Sequence, residues 1–325
     1  MKKILSFFKV ALPLAFGIFL IWYVFKDLNP SEKDELFKAF GEADYFWVLV
    51  SVSLGILSHF SRAMRWKYTV QPLGKTPSFW NSFFSVMVGY VANLALPRLG
   101  EVTRPALLAK YENLPFHKLF GTIVAERVAD LIILGTIMTS IIIFEFDMLK
   151  TTLQAYLEMG GEKFSFQSLV VVGIVLLLCG GLVVFLIFKI KNPFFIKIRE
   201  LIRGVFEGIQ TIIKMKDKKY FLMHTALIWI LYVGMFYLCF FSLEETSDVP
   251  LSAVLASFVT GSLAIVFVQG GLGVFPVAIM ETLMLYGVAK PPALALGWLL
   301  WSSQTIMIII LGVISIPLIR LINKK

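Results

Sequence analysis

The stretch FWNSFFSVMVGYVANLALPRLGEVTRP, residues 79–105, decides how this chain folds. It opens as an apolar run, Phe79 to Leu96, and then breaks at Pro97 and Gly100, which interrupt helix and leave backbone groups unpaired. A polar stretch follows as far as Lys118. Inside lipid such backbone is tolerated only where it is buried in protein or lines a wet cavity. The stretch therefore reads as two short helices around a non-helical tip. A second region has the same form: Leu251 to Val268 runs into QGGLGVFP, residues 269–276, and then into Val277 to Val288.

The rest of the chain is suited to lipid. Its 325 residues are 58% hydrophobic and only 16% charged, with a mean hydropathy of +0.83. A soluble domain needs a polar surface, which so few charges cannot cover. Disorder and coiled coil fail on the same numbers, since 14% of the residues are aromatic. Six further apolar stretches, 10–25, 45–61, 120–144, 169–188, 221–241 and 292–318, are each long enough to cross ~30 Å of hydrocarbon as helix. The first is read as a retained span rather than a signal peptide, because it ends at Phe25-Lys26-Asp27 without a small-residue cleavage site. Cys179 and Cys239 lie inside apolar runs and read as buried thiols.

The formal charge of +9 is a matter of topology, not of nucleic-acid binding. Arg62, Arg65, Lys67 and Lys75 follow the second span with no acid among them, and residues 189–219 carry nine basic residues against three acidic. Both segments read as cytoplasmic, as do the two termini. Segments 26–44, 145–163 and 242–250 are poor in basic residues and read as external. The fold class is then an all-α polytopic membrane protein of the plasma membrane, with six to eight transmembrane helices and one or two re-entrant hairpins. The first hairpin enters from the cytoplasm and the second from outside; two full crossings at 251–288 are the alternative. Two spans, a hairpin and a span occur twice with opposite orientation. This is an inverted-topology repeat, with halves 1–150 and 165–325 inside one integral membrane domain. Residues 196–213 carry apolar side chains at helical spacing with Arg199 and Arg203 between them, which suits a basic amphipathic helix on the inner leaflet.

An ionisable residue inside hydrocarbon costs a few kcal/mol or more and marks a candidate site. The densest group is Asn93, Arg98, Glu101 and Arg104. If a helix starts near Glu101, two cations and free N–H groups converge on its N-terminus, a combination suited to phosphate. The competing reading is an internally neutralised Arg–Glu–Arg cluster. The second group is Glu126, Arg127 and Asp130, expected to face the protein interior either as a structural ion pair or as part of a transport path. The third, Arg62 and Arg65 with Trp66, is read by position as an interfacial anchor with a belt tryptophan. The second tip, Gln269, Gly270, Gly271 and Gly273, is uncharged, and Glu281 is its nearest ionisable neighbour. His59, His117 and His224 stand apart without metal-ligand spacing, and no Walker loop or Gly-x-Ser-x-Gly is present. No catalytic residue, metal or cofactor is expected.

In order, SRAMRW (Arg62, Arg65, Trp66), Gly89, Tyr90 and Asn93 leading into Pro97, Gly100, Glu101 and Arg104, ERVAD (Glu126, Arg127, Asp130) and GGLG (Gly270 to Gly273) resemble the flippase-like transmembrane family. That family forms the N-terminal region of bacterial lysylphosphatidylglycerol synthases. The similarity covers nearly the whole chain. It departs from the pattern at the second tip, where Gln269 replaces a proline and Pro276 stands where an acid is usual. The chain ends after its last span, so the resemblance implies lipid translocation rather than aminoacyl transfer.

The function expected is translocation of an anionic phospholipid or another phosphate-bearing lipid between leaflets, with membrane lipids as partners and no enzymatic activity. Two alternatives stand beside it. One is a non-transporting membrane partner of a glycosyltransferase or aminoacyltransferase. The other is an intramembrane transferase acting on polyprenyl phosphate.

Overall fold

The computed structural model describes residues 2–96, 98–145 and 209–324, together with Ile196, Arg199 and Phe206; at residues 2–14, Phe267 and Gln269 it describes the backbone alone. Among the described residues every element is helical. The helices are α1 (Lys2–Asp27), α2 (Pro30–Glu42), α3 (Tyr45–Val70), α4 (Phe79–Ala95), α5 (Leu99–Glu112), α6 (Phe116–Phe144), α7 (Lys218–Cys239), α8 (Leu251–Phe267), α9 (Val274–Leu285) and α10 (Lys290–Leu321). Polar residues set their ends. The Asn29 side chain accepts from the Glu32 N–H while Glu32 accepts from the Asn29 N–H, a capping box that starts α2. Asp44 accepts from the Phe46 N–H and starts α3.

The helices at 45–73, 116–144, 218–242 and 290–321 are long and apolar enough to cross a membrane. They correspond to four of the six expected spans, and the first expected span lies within α1, 26 residues of helix. The expected span at 169–188 lies outside the described residues, as does most of the amphipathic segment 196–213. The protein is an all-α polytopic membrane protein.

The chain divides into two compact units, Met1–Glu126 with Met215–Lys325, and Arg127–Lys214. Both interrupted regions lie in the first unit, and the boundary expected between repeat halves, 150–165, lies outside the described residues. In the second unit α6 runs on to Phe144, with the Thr136, Thr139 and Ser140 hydroxyls donating to carbonyls one turn back. That pairing keeps hydroxyls compatible with an apolar helix surface.

Two sets of contacts define the ends of the first unit. At one end Lys290 Nζ lies 2.5 Å from Asp27 Oδ2, and the Asp44 N–H donates to the Ser242 carbonyl at 2.8 Å. At the other, Lys75 pairs with Glu112 at 3.3 Å, and the Asn81 and Asn323 amides bond each other at 2.7 and 3.2 Å.

Each interrupted region is a pair of short helices folded on itself. α4 and α5 both have their bases at the Lys75 end, because the Ser78 N–H and Asn81 Nδ2 both donate to Glu112 Oε1, at 2.9 and 2.7 Å. They cross at Gly89 and Gly100, where a Cβ on Gly100 would overlap the Gly89 carbonyl oxygen. The α8/α9 pair starts just after the Asp44–Ser242 contact and finishes five residues before Lys290, so it hangs from the opposite end. Gly270, Gly271 and Gly273 in its tip are all left-handed, with φ of 65°, 70° and 73°, a region open to glycine without strain.

The tips meet: a Cβ on Gly270 would lie 3.3 Å from Leu94 of α4. Trp301, which donates to the Gly270 carbonyl at 2.6 Å, stands eleven residues into α10, roughly 17 Å from its start. Gly17, packed against Gly273, lies about 15 Å from the Asp27 end of α1 by the same rise. Both tips thus pack against the interior stretches of α1 and α10 and not against their ends. α10 also packs against α4, with Gly312 against Val91 and Met87. Where no water has to be expelled, helices associate through such close packing and through interhelical hydrogen bonds.

Candidate functional site

α3 carries a buried polar stripe, Ser51, Ser58, His59, Arg62, Arg65 and Thr69, with Gly55 and Trp66 on the same face. The intervals are those of one helical face. Arg65 and Trp66 are 0% exposed and Arg62 4%, so the expected interfacial anchor is instead part of the interior. Arg62 to Trp66 lie four to eight residues before Val70, roughly 6 to 12 Å from the helix end.

Two further helices bring their charges to this face. α5 places Arg104, 7% exposed, and α6 places Glu126, 1% exposed. Glu126 Oε2 lies 2.9 Å from Arg104 Nη1 and 3.6 Å from Arg65 Nη2, so one oxygen serves two guanidinium groups. The Arg104 guanidinium lies 3.9 Å from the centroid of the Trp66 ring, a cation–π stack that fixes its plane. The ring is itself anchored, since Trp66 Nε1 donates to Thr122 Oγ1 at 2.8 Å. Arg65 Nη1 donates to Thr225 on α7 at 3.2 Å, and Arg62 Nη2 to the Tyr232 hydroxyl at 3.2 Å. The His59 ring stands 4.9 Å from that of Tyr90, beside Tyr232. Leu108 and Val86 with Trp66, Leu119 and Ile123 form an apolar cluster against α3, α4, α5 and α6.

The Arg104–Glu126 pair is incompletely bonded. Among the described residues Arg104 Nε and Nη2 and Glu126 Oε1 are buried and make no hydrogen bond. An Arg and a carboxylate commonly pair through two parallel bonds, and a buried unsatisfied polar group costs about 1–3 kcal/mol. Within the first unit Arg65 and Arg104 share one carboxylate here, with Arg62 buried one turn from Arg65 on the same face of α3.

The other expected residues are distributed differently. Asn93 closes the first tip, accepting from the Gly100 N–H at 2.7 Å. Arg98 does precede the α5 N-terminus, but in the left-handed conformation, φ 61°, and exposed. It stands six residues from Arg104, about 240° around the helix, so the two cations do not converge. Glu101 is half-buried in the first turn of α5. On α6 Asp130 is buried, whereas Arg127 is exposed and does not face the interior as expected. At the second tip the Gly270 carbonyl is taken by Trp301, Gly271 and Gly273 are buried, and Glu281 is exposed on α9, eight residues beyond Gly273. Of Gln269 the structure describes the backbone only.

Sequence reasoning missed Thr122, Thr225 and Tyr232, which hold the cluster from α6 and α7. Single hydroxyls in apolar runs give no signal. The i, i+3, i+4 spacing of Arg62, Arg65 and Trp66 was the available clue, and it lies on the face begun by Ser51 and Gly55.

The family described as Lysylphosphatidylglycerol synthase TM region matches residues 10–312. A protein of Methanocaldococcus jannaschii described as a UPF0104 membrane protein is 32% identical over 100 residues, 30% of either chain. No solved structure matches significantly.

Proposed function

The chain belongs to the lysylphosphatidylglycerol synthase transmembrane-region family, and from that premise we propose that it moves a phosphate-bearing lipid between the leaflets of the plasma membrane, without an enzymatic step. One observation carries this reading: Arg65 and Arg104 are buried against the single carboxylate Glu126, with Arg62 buried on the same face of α3, and two donor nitrogens of Arg104 make no hydrogen bond among the described residues. A buried cluster of guanidinium groups is a phosphate site by chemistry, since Arg matches phosphate geometry with two donors at once.

The helix arrangement supports movement. The two short-helix pairs hang from opposite ends of the first unit and their tips meet, as re-entrant hairpins of an inverted repeat would, with α4 packed against α10 and the second tip against α1 and α10. The head group enters at the guanidinium cluster from the cytoplasmic leaflet while the acyl chains stay in lipid, and rocking of one hairpin-bearing half against the other re-exposes it. Both termini lie in the cytoplasm, in keeping with the positive-inside bias.

The test is head-group flipping in proteoliposomes, read by dithionite quenching of a fluorescent phosphatidylglycerol. Arg104→Gln protein that is folded and inserted is expected to flip at the protein-free rate. Wild-type rates in that variant, or no flipping by the wild type, would sink the reading.

A further inference from the structure

We infer that the lipid taken by this site carries a neutral polyol and no amine on its phosphate, and that His59 and Trp229 receive the hydroxyls. This rests on the phosphate-site reading and adds to it which phosphate-bearing head group fits. The evidence lies beside the arginines, on the side away from Lys75. Arg65 Nη1 donates to Thr225 and Arg62 Nη2 to the Tyr232 hydroxyl, each at 3.2 Å, which sets α7 against the buried face of α3. Thr225, Trp229 and Tyr232 follow one another at intervals of four and three residues, so they share one face of α7. The Trp229 ring lies 6.2 Å from that of Tyr232. On α3, His59 stands one turn before Arg62 on the same buried face, its ring 6.5 Å from that of Tyr232 and 4.9 Å from that of Tyr90.

The polar atoms on this face select their partner. His59, 5% exposed, has its Nδ1 buried without a hydrogen bond among the described residues, and Trp229 Nε1 and Glu126 Oε1 are in the same condition. An indole N–H only donates, a carboxylate oxygen only accepts, and a neutral imidazole nitrogen does one or the other according to tautomer. A hydroxyl does both, so a polyol can answer each of them. An ammonium can meet Glu126 Oε1, but it only donates and leaves the Trp229 N–H unmet.

Charge points the same way. Arg62, Arg65 and Arg104 are buried with Glu126, and counting Asp130, buried one turn along α6, still leaves three arginines to two acids. A phosphodiester with a neutral polyol lowers this excess by one charge. A zwitterionic head group with one amine leaves the excess as it was, and a lysyl ester, with two ammonium groups on one phosphodiester, raises it. Uncompensated charge in a region almost closed to solvent is costly. The polyol phosphodiester is therefore the head group that meets the buried donors and the charge excess together.

The experiment is calorimetric titration of the full chain in detergent micelles with three dihexanoyl lipids. They are phosphatidylglycerol, phosphatidylmethanol, which has the same charge and no hydroxyl, and phosphatidylethanolamine. Wild type is expected to bind phosphatidylglycerol about tenfold more tightly than phosphatidylmethanol, the scale of one or two buried hydrogen bonds, and phosphatidylethanolamine more weakly than either. In His59→Phe and in Trp229→Phe, which keep a ring and remove its nitrogen, the ratio of the first two affinities is expected to fall to about threefold. Equal binding of the glycerol and methanol lipids by wild type overturns the inference and leaves the phosphate site standing, and this arm needs no variant to fold. Phosphatidylethanolamine binding as tightly as phosphatidylglycerol also overturns it, as does a tenfold ratio that persists in both variants. No binding of either anionic lipid by wild type overturns both readings. Glycerophosphoglycerol, the same head group without acyl chains, binding as tightly as the lipid supports polyol recognition and overturns lipid as its source.

Discussion

The hairpins 79–112 and 251–285 solve one backbone problem with different chemistry. Both fold two short helices back on each other, both use a left-handed residue at the tip, and both rely on glycine for close approach. In the first, the left-handed residue before α5 is a cation, Arg98, and the tip is closed by a side-chain amide, Asn93 to the Gly100 N–H. In the second the tip carries three left-handed glycines, and its Gly270 carbonyl is held from α10 by Trp301. One hairpin thus presents charge to a buried cluster through Arg104, while the other presents only shape. Meeting of the tips does not require that both hairpins bind; it requires that both turn.

The comparison breaks most visibly through function. Arg104→Gln should lower lipid flipping by about 30-fold or more, the scale of truncating one partner of a buried charge pair, whereas Gly270→Ala should change it by less than about threefold. A reversed order would assign the ligand to the second hairpin. Next come the close approaches. Gly100→Ala and Gly273→Ala each put a Cβ onto backbone, of Gly89 and of Gly17, and should cost about 2–4 kcal/mol. Gly273→Ala adds left-handed strain and should be the worse of the two by melting temperature in detergent. A smaller loss, about 1 kcal/mol, is expected for Trp301→Phe, which removes one hydrogen bond to the second tip; a larger loss than Gly273→Ala would mean that the anchor, not the packing, holds that hairpin.

The smallest effect belongs to the exposed Asp27–Lys290 pair. The Lys290 ammonium, by hydrogen bond and charge, holds the Asp27 carboxyl below its ordinary range. A carboxyl lowered in the folded state adds stability above its unfolded value and loses it as pH falls through the folded one. Melting of wild type and Asp27→Asn should therefore differ little at any pH and converge in acid. A gap that widened toward acid would show that the pair is not what joins α1 to α10 at that end.

Hydropathy located α3, α6, α7 and α10, because a span is a one-dimensional property of a chain in lipid. Pro97, Gly100 and the glycines at 270–273 gave the two tips for a similar reason. What hydropathy could not carry was depth within a helix longer than the membrane. Arg62, Arg65 and Trp66 lie where a window average drops, so position suggested an interface, yet α3 continues to Val70 and they turn inward. Arg98 and Arg104 are near each other in sequence but not in space, since a left-handed residue and a helix turn separate them. Asn93, read from the sequence as part of the binding group, accepts from the Gly100 N–H at the tip.

The contact of Gly312 with Val91 also has a temporal side. About 220 residues separate the two, which at roughly 5–20 residues per second of synthesis is on the order of 10 to 40 s. For that interval α4 and α5 are made and inserted while the helix that finishes packing them does not yet exist. The nascent first hairpin, with Arg104 already in it, must be sheltered by α3 and α6 or by the insertion machinery until the last span arrives.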